Sequence, residues 1–300
     1  MRVALPRSVV PGTCLLVTRR CTQRQFLLRP DAATNNAFVY CLALAAQRSN
    51  VDVLNFVQMS NHLHVVLYDR HGNAPEFYEH FHKLLAKCMN ALRGRWQNFF
   101  ASEQTSVVRL DTTADVINKI VYVATNPVND GLVERVAHWP GSSGYRALLD
   151  GSPLQATRPA HFFAPNGSSP ASIELQLRIP SEVGDAGAVL GAVRLRVETD
   201  ERERAAERSS TGRSVVGPSA VRRQSWRTAP TSHEVRRGLR PNFAGTFLTR
   251  VEAIHRRRVF LSAYRQARNA LLVGLASIFP QGTYWLARFA GVRVEVRENC

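Results

Sequence analysis

Alternating and helical patterns of apolar residues divide the first half of the chain cleanly. Cys14 to Thr18, Val51 to Gln58, His62 to Tyr68 and Val107 to Leu110 have the length and apolar content of strands. Between them, Asp31 to Gln47 and Glu76 to Asn98 read as helices, the second carrying Phe77, Phe81, Leu84, Leu85, Cys88 and Leu92 at helical spacing. A third helix begins near Asp111 or Thr112 and is expected to stop at Pro127. Strand, helix, strand, strand, helix, strand is a ferredoxin-like α+β order. It predicts an antiparallel sheet with helices on one face, the other face being left for a nucleic acid.

The pattern changes near residue 150, which suggests one unit over 1–150 and an accessory region over 151–300. Asn166 to Pro170 reads as a linker, and Ile173 to Leu177 and Val193 to Val197 alternate like strands of a small sheet. Asp200 to Arg208 is a charge run suited to a solvated helix or linker, and Val251 to Leu272 is helical, with a basic patch from His255 to Arg258. No internal repeat is visible.

Candidate chemistry starts with His62-Leu63-His64. Strand side chains alternate faces, so both imidazoles project to one side and Leu63, Val65 and Leu67 to the other. The pair suits either a metal ion or a hydrogen-bonded couple on a solvated face. His80-Phe81-His82 has the same spacing in a helix, where two residues subtend about 200° and cannot share an ion. In the third helix Lys119, Tyr122 and Asn126 fall on one stripe. A cation, a phenol and an amide oxygen suit phosphoryl transfer, while a core aromatic beside a helix-end residue is the plainer alternative.

Charge adds a partner class. The chain has 39 Lys plus Arg against 23 Asp plus Glu, net +16, as expected of a phosphate-binding protein. Only Lys83, Lys87 and Lys119 are lysine, and a G+C-rich genome produces the same arginine bias. Residues 151–300 contribute +11 of the total. There Arg222, Arg223, Arg227, Arg236, Arg237 and Arg240 lie among Trp226, Pro230 and Pro241, a stretch that reads either as a DNA-tracking surface or as a flexible basic tail. The cysteines Cys14, Cys21, Cys41, Cys88 and Cys300 are odd in number and scattered, which points to a reducing cytoplasm without a disulfide or zinc framework. The chain opens on no signal peptide, and its longest apolar run, near Leu271, is too short to span a bilayer.

Several short motifs occur in a telling order: Pro6-Arg7, Val17-Thr18-Arg19-Arg20, Met59-Ser60-Asn61-His62-Leu63-His64, Gly94-Arg95-Trp96-Gln97-Asn98, Tyr122 to Val128, Gly131-Leu132-Val133 and Trp139-Pro140-Gly141-Ser142-Ser143. Over about residues 5 to 148 the chain resembles the REP-associated tyrosine transposases, single-tyrosine members of the HUH group, in which U is the apolar residue between two metal-binding histidines. Phe279 to Trp285 is similar to a tail in arginine-rich members of that group.

The resemblance implies a metal-dependent single-strand DNA endonuclease and strand transferase acting at hairpin-associated sites. Tyr122 would be the nucleophile, His62 and His64 metal ligands, and Asn126 the third ligand where relatives have glutamine. Mg²⁺ or Mn²⁺ would be the ion, and the product a 5′-phosphotyrosine with a free 3′-hydroxyl. Lys119, Arg19, Arg20, Arg95, Arg222 and Arg223 are the candidate contacts to single-stranded or hairpin DNA. A cytoplasmic, nucleoid-associated protein of a bacterium is implied, with no membrane partner and with a homodimer as an option. Two other classes stay open: a hairpin-DNA-binding protein that has lost the chemistry, and a zinc hydrolase, against which stands the lack of a nearby supplementary ligand motif.

Overall fold

The computed structural model of the protein describes residues 6–232 and 243–295. Its first six elements are β1 (Thr13–Arg20), α1 (Ala32–Ser49), β2 (Asp52–Gln58), β3 (His62–Asp69), α2 (Ala74–Arg93) and β4 (Ser106–Leu110). The four strands form one antiparallel sheet in the order β2-β3-β1-β4, which places the histidine strand centrally.

Register decides what each face touches. Val65 lies opposite Phe56 of β2, and Phe56 stacks on Phe38 of α1 at 5.6 Å, which meets Phe81 of α2 edge-on at 5.5 Å. Leu63, Val65 and Leu67 are fully buried on that side, each worth about 2 kcal/mol of transfer free energy. On the opposite side Thr18, His64 and Val57 stand in one cross-strand row. This side is not left open. A third long helix, α3 (Thr113–Asn129), crosses it, and the buried Asn55 of β2 donates its Nδ2 to the Ile120 carbonyl at 3.1 Å. The expectation of helices on one face is therefore corrected in part: α3 packs over β2 and β3 on the second face, because the segment after β4 carries its own apolar stripe, including Val116, Ile120 and Val123, while Arg20 on that face stays exposed.

Two helix boundaries also differ. Gly94 adopts a left-handed conformation (φ 61°) and ends α2 at Arg93, so Arg95 to Asn98 follow the helix rather than belong to it. Pro127 does not end α3. It sits in the last turn, where the Asp130, Gly131 and Leu132 amides bond back to the carbonyls of Asn126, Val128 and Pro127 and hold that turn closed.

The second half begins with α4 (Tyr145–Asp150) and a hairpin of β5 (Leu154–Thr157) and β6 (Ser172–Leu175). The hairpin lies against α1, where Tyr40 donates to the Pro170 carbonyl at 2.7 Å. Ile173 is thus in a strand as expected, but its partner strand is β5. Val193 to Val197 belongs instead to α5 (Ala186–Thr211), as does the charge run from Asp200. Val189, Val193 and Val197 recur every fourth residue and are buried as α5 packs along α3, so a stretch that alternates over five residues was serving a helical period.

Past α5 come α6 (Pro218–Arg223), α7 (Phe247–Leu272), β7 (Ile278–Phe279), α8 (Trp285–Ala290) and β8 (Arg293–Val294). The Ala244 amide bonds to the Arg109 carbonyl at 3.0 Å, tying the approach to α7 to β4. Arg236, Arg237, Arg240, Pro241 and Cys300 lie outside the described residues. Cys14, Cys21, Cys41 and Cys88 are buried and free, and no described helix is long and apolar enough to cross a membrane.

Candidate active site

The turn from Met59 to Asn61 delivers β3 to the site. Gln58, at its start, accepts the Trp139 indole N–H at 3.0 Å, and a Cβ at Gly141 would come within 2.8 Å of the same carbonyl, so only glycine allows that loop to lie flat on the strand end. His62 and His64 then face the same side with ring centroids 4.9 Å apart, and Tyr122 of α3 stands 5.3 Å from His64. Three positions picked from spacing thus meet, together with Asn126, whose carboxamide lies beside both His62 and Tyr122.

Each imidazole has one nitrogen fixed. His62 Nδ1 is 2.7 Å from Asn61 Oδ1, an acceptor, which makes Nδ1 the protonated nitrogen and leaves the lone pair on Nε2. His64 Nδ1 is 2.8 Å from Thr18 Oγ1. His64 Nε2 is buried without a hydrogen-bond partner, and so is Asn126 Oδ1. Unpartnered buried atoms occur elsewhere among the described residues, His80 Nε2 and His82 Nε2 included, so what marks this spot is that two of them sit together with His62 and Tyr122. Among the described residues no three His, Cys, Asp or Glu side chains cluster to hold a metal. The side chains here that could offer donor atoms to a cation are His62, His64 and Asn126.

Electrostatics keep these groups neutral. Burial, with the Arg20 charge adding to it, pushes His62 down to about 4, and burial with His62, Lys119 and Arg20 pushes His64 well below its ordinary value. Burial and the nearby Asp130 carboxylate raise the Tyr122 phenol above its usual range, against the Asn126 hydrogen bond and Arg20, which act to lower it. Tyr122 still keeps 40% of its surface open to solvent, so a substrate can reach it. Lys119 lies over its ring, Nζ 5.3 Å from the centroid.

The arginines separate. Arg20 is paired across the strands with His62 and stands on the histidine face. Arg19, one residue away, must point to the other face, where it lies over Phe100 and donates to the carbonyls of Ala101 and Glu103. It pins a loop and is removed from the site. Arg95 reaches Gln25 Oε1 at 3.3 Å, beside the turn but away from the histidines. Arg222 and Arg223 are exposed at the end of α6, which is docked next to the same turn by Ser60 Oγ donating to Gln224 Oε1 at 3.4 Å. The residues that spacing did not single out are Thr18, Asn61 and Asp130. Thr18 was legible in principle, since it shares a strand face with Arg20 two positions on.

No protein-family model matches the chain, and no curated protein matches it. Among solved structures it is similar to a REP-associated tyrosine transposase bound to a REP hairpin, with 17% identity and a TM-score of 0.38, over 60% of this chain and 100% of that one.

Proposed function

We propose that the protein cuts and rejoins single-stranded DNA by transesterification at Tyr122, at sites next to DNA hairpins. The observation that supports this reading is the grouping of His62, His64 and Asn126 around the accessible phenol of Tyr122. The hairpin association rests on the motif resemblance.

In the reaction, Tyr122 Oη attacks phosphorus, the bond to the 3′ oxygen breaks, and that oxygen leaves as a 3′-hydroxyl carrying the proton. The 5′ phosphate stays on the tyrosine, so the reverse attack by a 3′-hydroxyl rejoins strands without a nucleotide cofactor. A phenol held above its usual pKa is a weak nucleophile at neutral pH, which places the demand on stabilising charge at the phosphate. A divalent ion, Mg²⁺ or Mn²⁺, held by His62, His64 and Asn126 would supply that stabilisation as a Lewis acid. Thr18 and Asn61 orient the imidazoles, Lys119 places positive charge over the Tyr122 ring, and Arg20 acts on its phenol.

The test is incubation with labelled hairpin-flanked single-stranded DNA and Mn²⁺, reading a protein–DNA adduct that survives denaturation. Tyr122→Phe should abolish the adduct and leave hairpin binding nearly unchanged. Tyr68, on the same strand face but at its far end and under Arg70 at 5.2 Å, is the rival nucleophile, and an adduct lost in Tyr68→Phe but kept in Tyr122→Phe overturns the assignment. A hairpin-binding protein without chemistry is the alternative outcome, in which wild-type protein binds the hairpin and yields no adduct.

A further inference from the structure

We propose that Trp96 is a stacking platform for an unpaired base of the strand that enters the Tyr122 site. This rests on the proposed action on single-stranded DNA and adds the residue that positions the strand.

Trp96 is 97% exposed, the highest value among the large apolar side chains of the described residues. The exposure is built in. Gly94 caps α2 behind it, Asn90 Nδ2 donates to the Gln97 carbonyl at 2.8 Å, and Phe99 and Phe100 anchor the other side in the core. The indole therefore stands on a pedestal fixed at both ends.

That pedestal adjoins the histidine turn. The Thr22 amide bonds to the Phe99 carbonyl at 2.9 Å, the Cys21 amide to the Asn61 carbonyl at 2.8 Å, and Asn61 Nδ2 to the Arg24 carbonyl at 3.2 Å. Asn61 is the residue that holds His62. Arg20, paired across the strands with His62, supplies charge at the histidine end of this route for a phosphate backbone whose bases would face the indole.

The other tryptophans have ring or hydrogen-bond partners. Trp139 is buried with its N–H on Gln58, Trp226 has the Arg93 and Arg227 guanidinium groups against its ring at 6.0 and 4.9 Å, and Trp285 stacks on Phe289 at 5.3 Å. The basic stretch around Trp226 drew attention in the sequence, yet its aromatic is occupied. Trp96 has no ring or cation contact among the described residues.

The experiment measures binding of a fluorescent, unpaired, mixed-sequence oligonucleotide to the full chain, alongside an abasic strand with the same phosphates. Stacking on one base corresponds to about a 5- to 150-fold affinity change, so Trp96→Ala should weaken the normal strand by that factor, Trp96→Phe should recover most of it, and the abasic strand should bind all three proteins alike. Equal binding of the normal strand by wild type and Trp96→Ala overturns the proposal while leaving the Tyr122 reading intact. Equal weakening on the abasic strand also overturns it, as does a change in oligomeric state of Trp96→Ala by sedimentation, which would make the indole a protein contact. Failure of the wild type to bind either strand instead counts against the proposed function itself.

Discussion

His62-Leu63-His64 and His80-Phe81-His82 have the same spacing and opposite fates. On β3 the intervening residue turns away and the two rings meet at 4.9 Å, each with one nitrogen fixed by Thr18 or Asn61. On α2 the same interval splits the pair. His82 is driven into the aromatic cluster of Phe81 and Phe100, while His80 stays at the partly exposed flank near Arg48 and Lys83. A motif of two ligands is thus a statement about an element, and the spacing means nothing until the element is known.

The strongest way to break this comparison is to remove one ring from each pair. His62→Ala and His64→Ala should each lower adduct formation by more than about 100-fold, since even partners of ligands cost 10- to 100-fold. His82→Ala should leave adduct yield per folded molecule unchanged. Equal damage from His82→Ala and His64→Ala would mean that the two pairs are not distinguished by their elements, and single-turnover adduct yields decide it.

Thr18→Val sharpens the same contrast at the next level. It keeps the strand's β-branched shape and removes only the hydroxyl that holds His64 Nδ1, so about a 10- to 100-fold loss is expected, with melting temperature nearly unchanged. A full-rate Thr18→Val protein would show that ring orientation is set by packing alone.

How much of this was legible varies with how local each determinant is. The histidine face, the tyrosine stripe and the succession of elements followed from period and spacing because each is read within a few residues. Arg19 and Arg20 read as one basic pair, although the same alternation that aligns His62 with His64 places them on opposite faces. Val193 to Val197 misled because valine, arginine and leucine in alternation satisfy a strand over five residues. Burial of Val189, Val193 and Val197 depends on α3, more than 60 residues earlier in the chain. The taking of Trp226 by two guanidinium groups is likewise a product of distant segments, invisible in any local pattern.

The buried histidine of the helical pair should also mark the pH dependence of stability. Burial, with Arg19 nearby, pushes His82 down to about 3, against about 6.5 when unfolded. Between those values the unfolded chain binds the proton and the folded one does not, so stability contributed at His82 is complete above pH 6.5 and is lost as pH falls towards 3. The slope is up to about 1.4 kcal/mol per pH unit. In His82→Gln that component should vanish, seen as a shallower fall of denaturation midpoint from pH 6.5 to 4.5. An unchanged fall would mean that His82 is protonated within the folded protein.

His80 should give the smallest effect, and its sign is informative. Burial comes first and the charges of Arg48 and Lys83 second in lowering its pKa, so the folded state resists protonation there too, though less than at His82. Near pH 8, where both states are neutral, His80→Ala should change stability by no more than about 0.5 kcal/mol, as for a substitution outside the core. Below pH 6.5 the wild type loses stability at this position and the variant does not, so the variant should gain on it as the solution is acidified. Chemical denaturation of both proteins at pH 8 and pH 5 measures the crossing. If acid instead widened a deficit of His80→Ala, the imidazolium would have to be stabilised by the fold, and the flank of α2 would be an anion-binding surface rather than a solvated face.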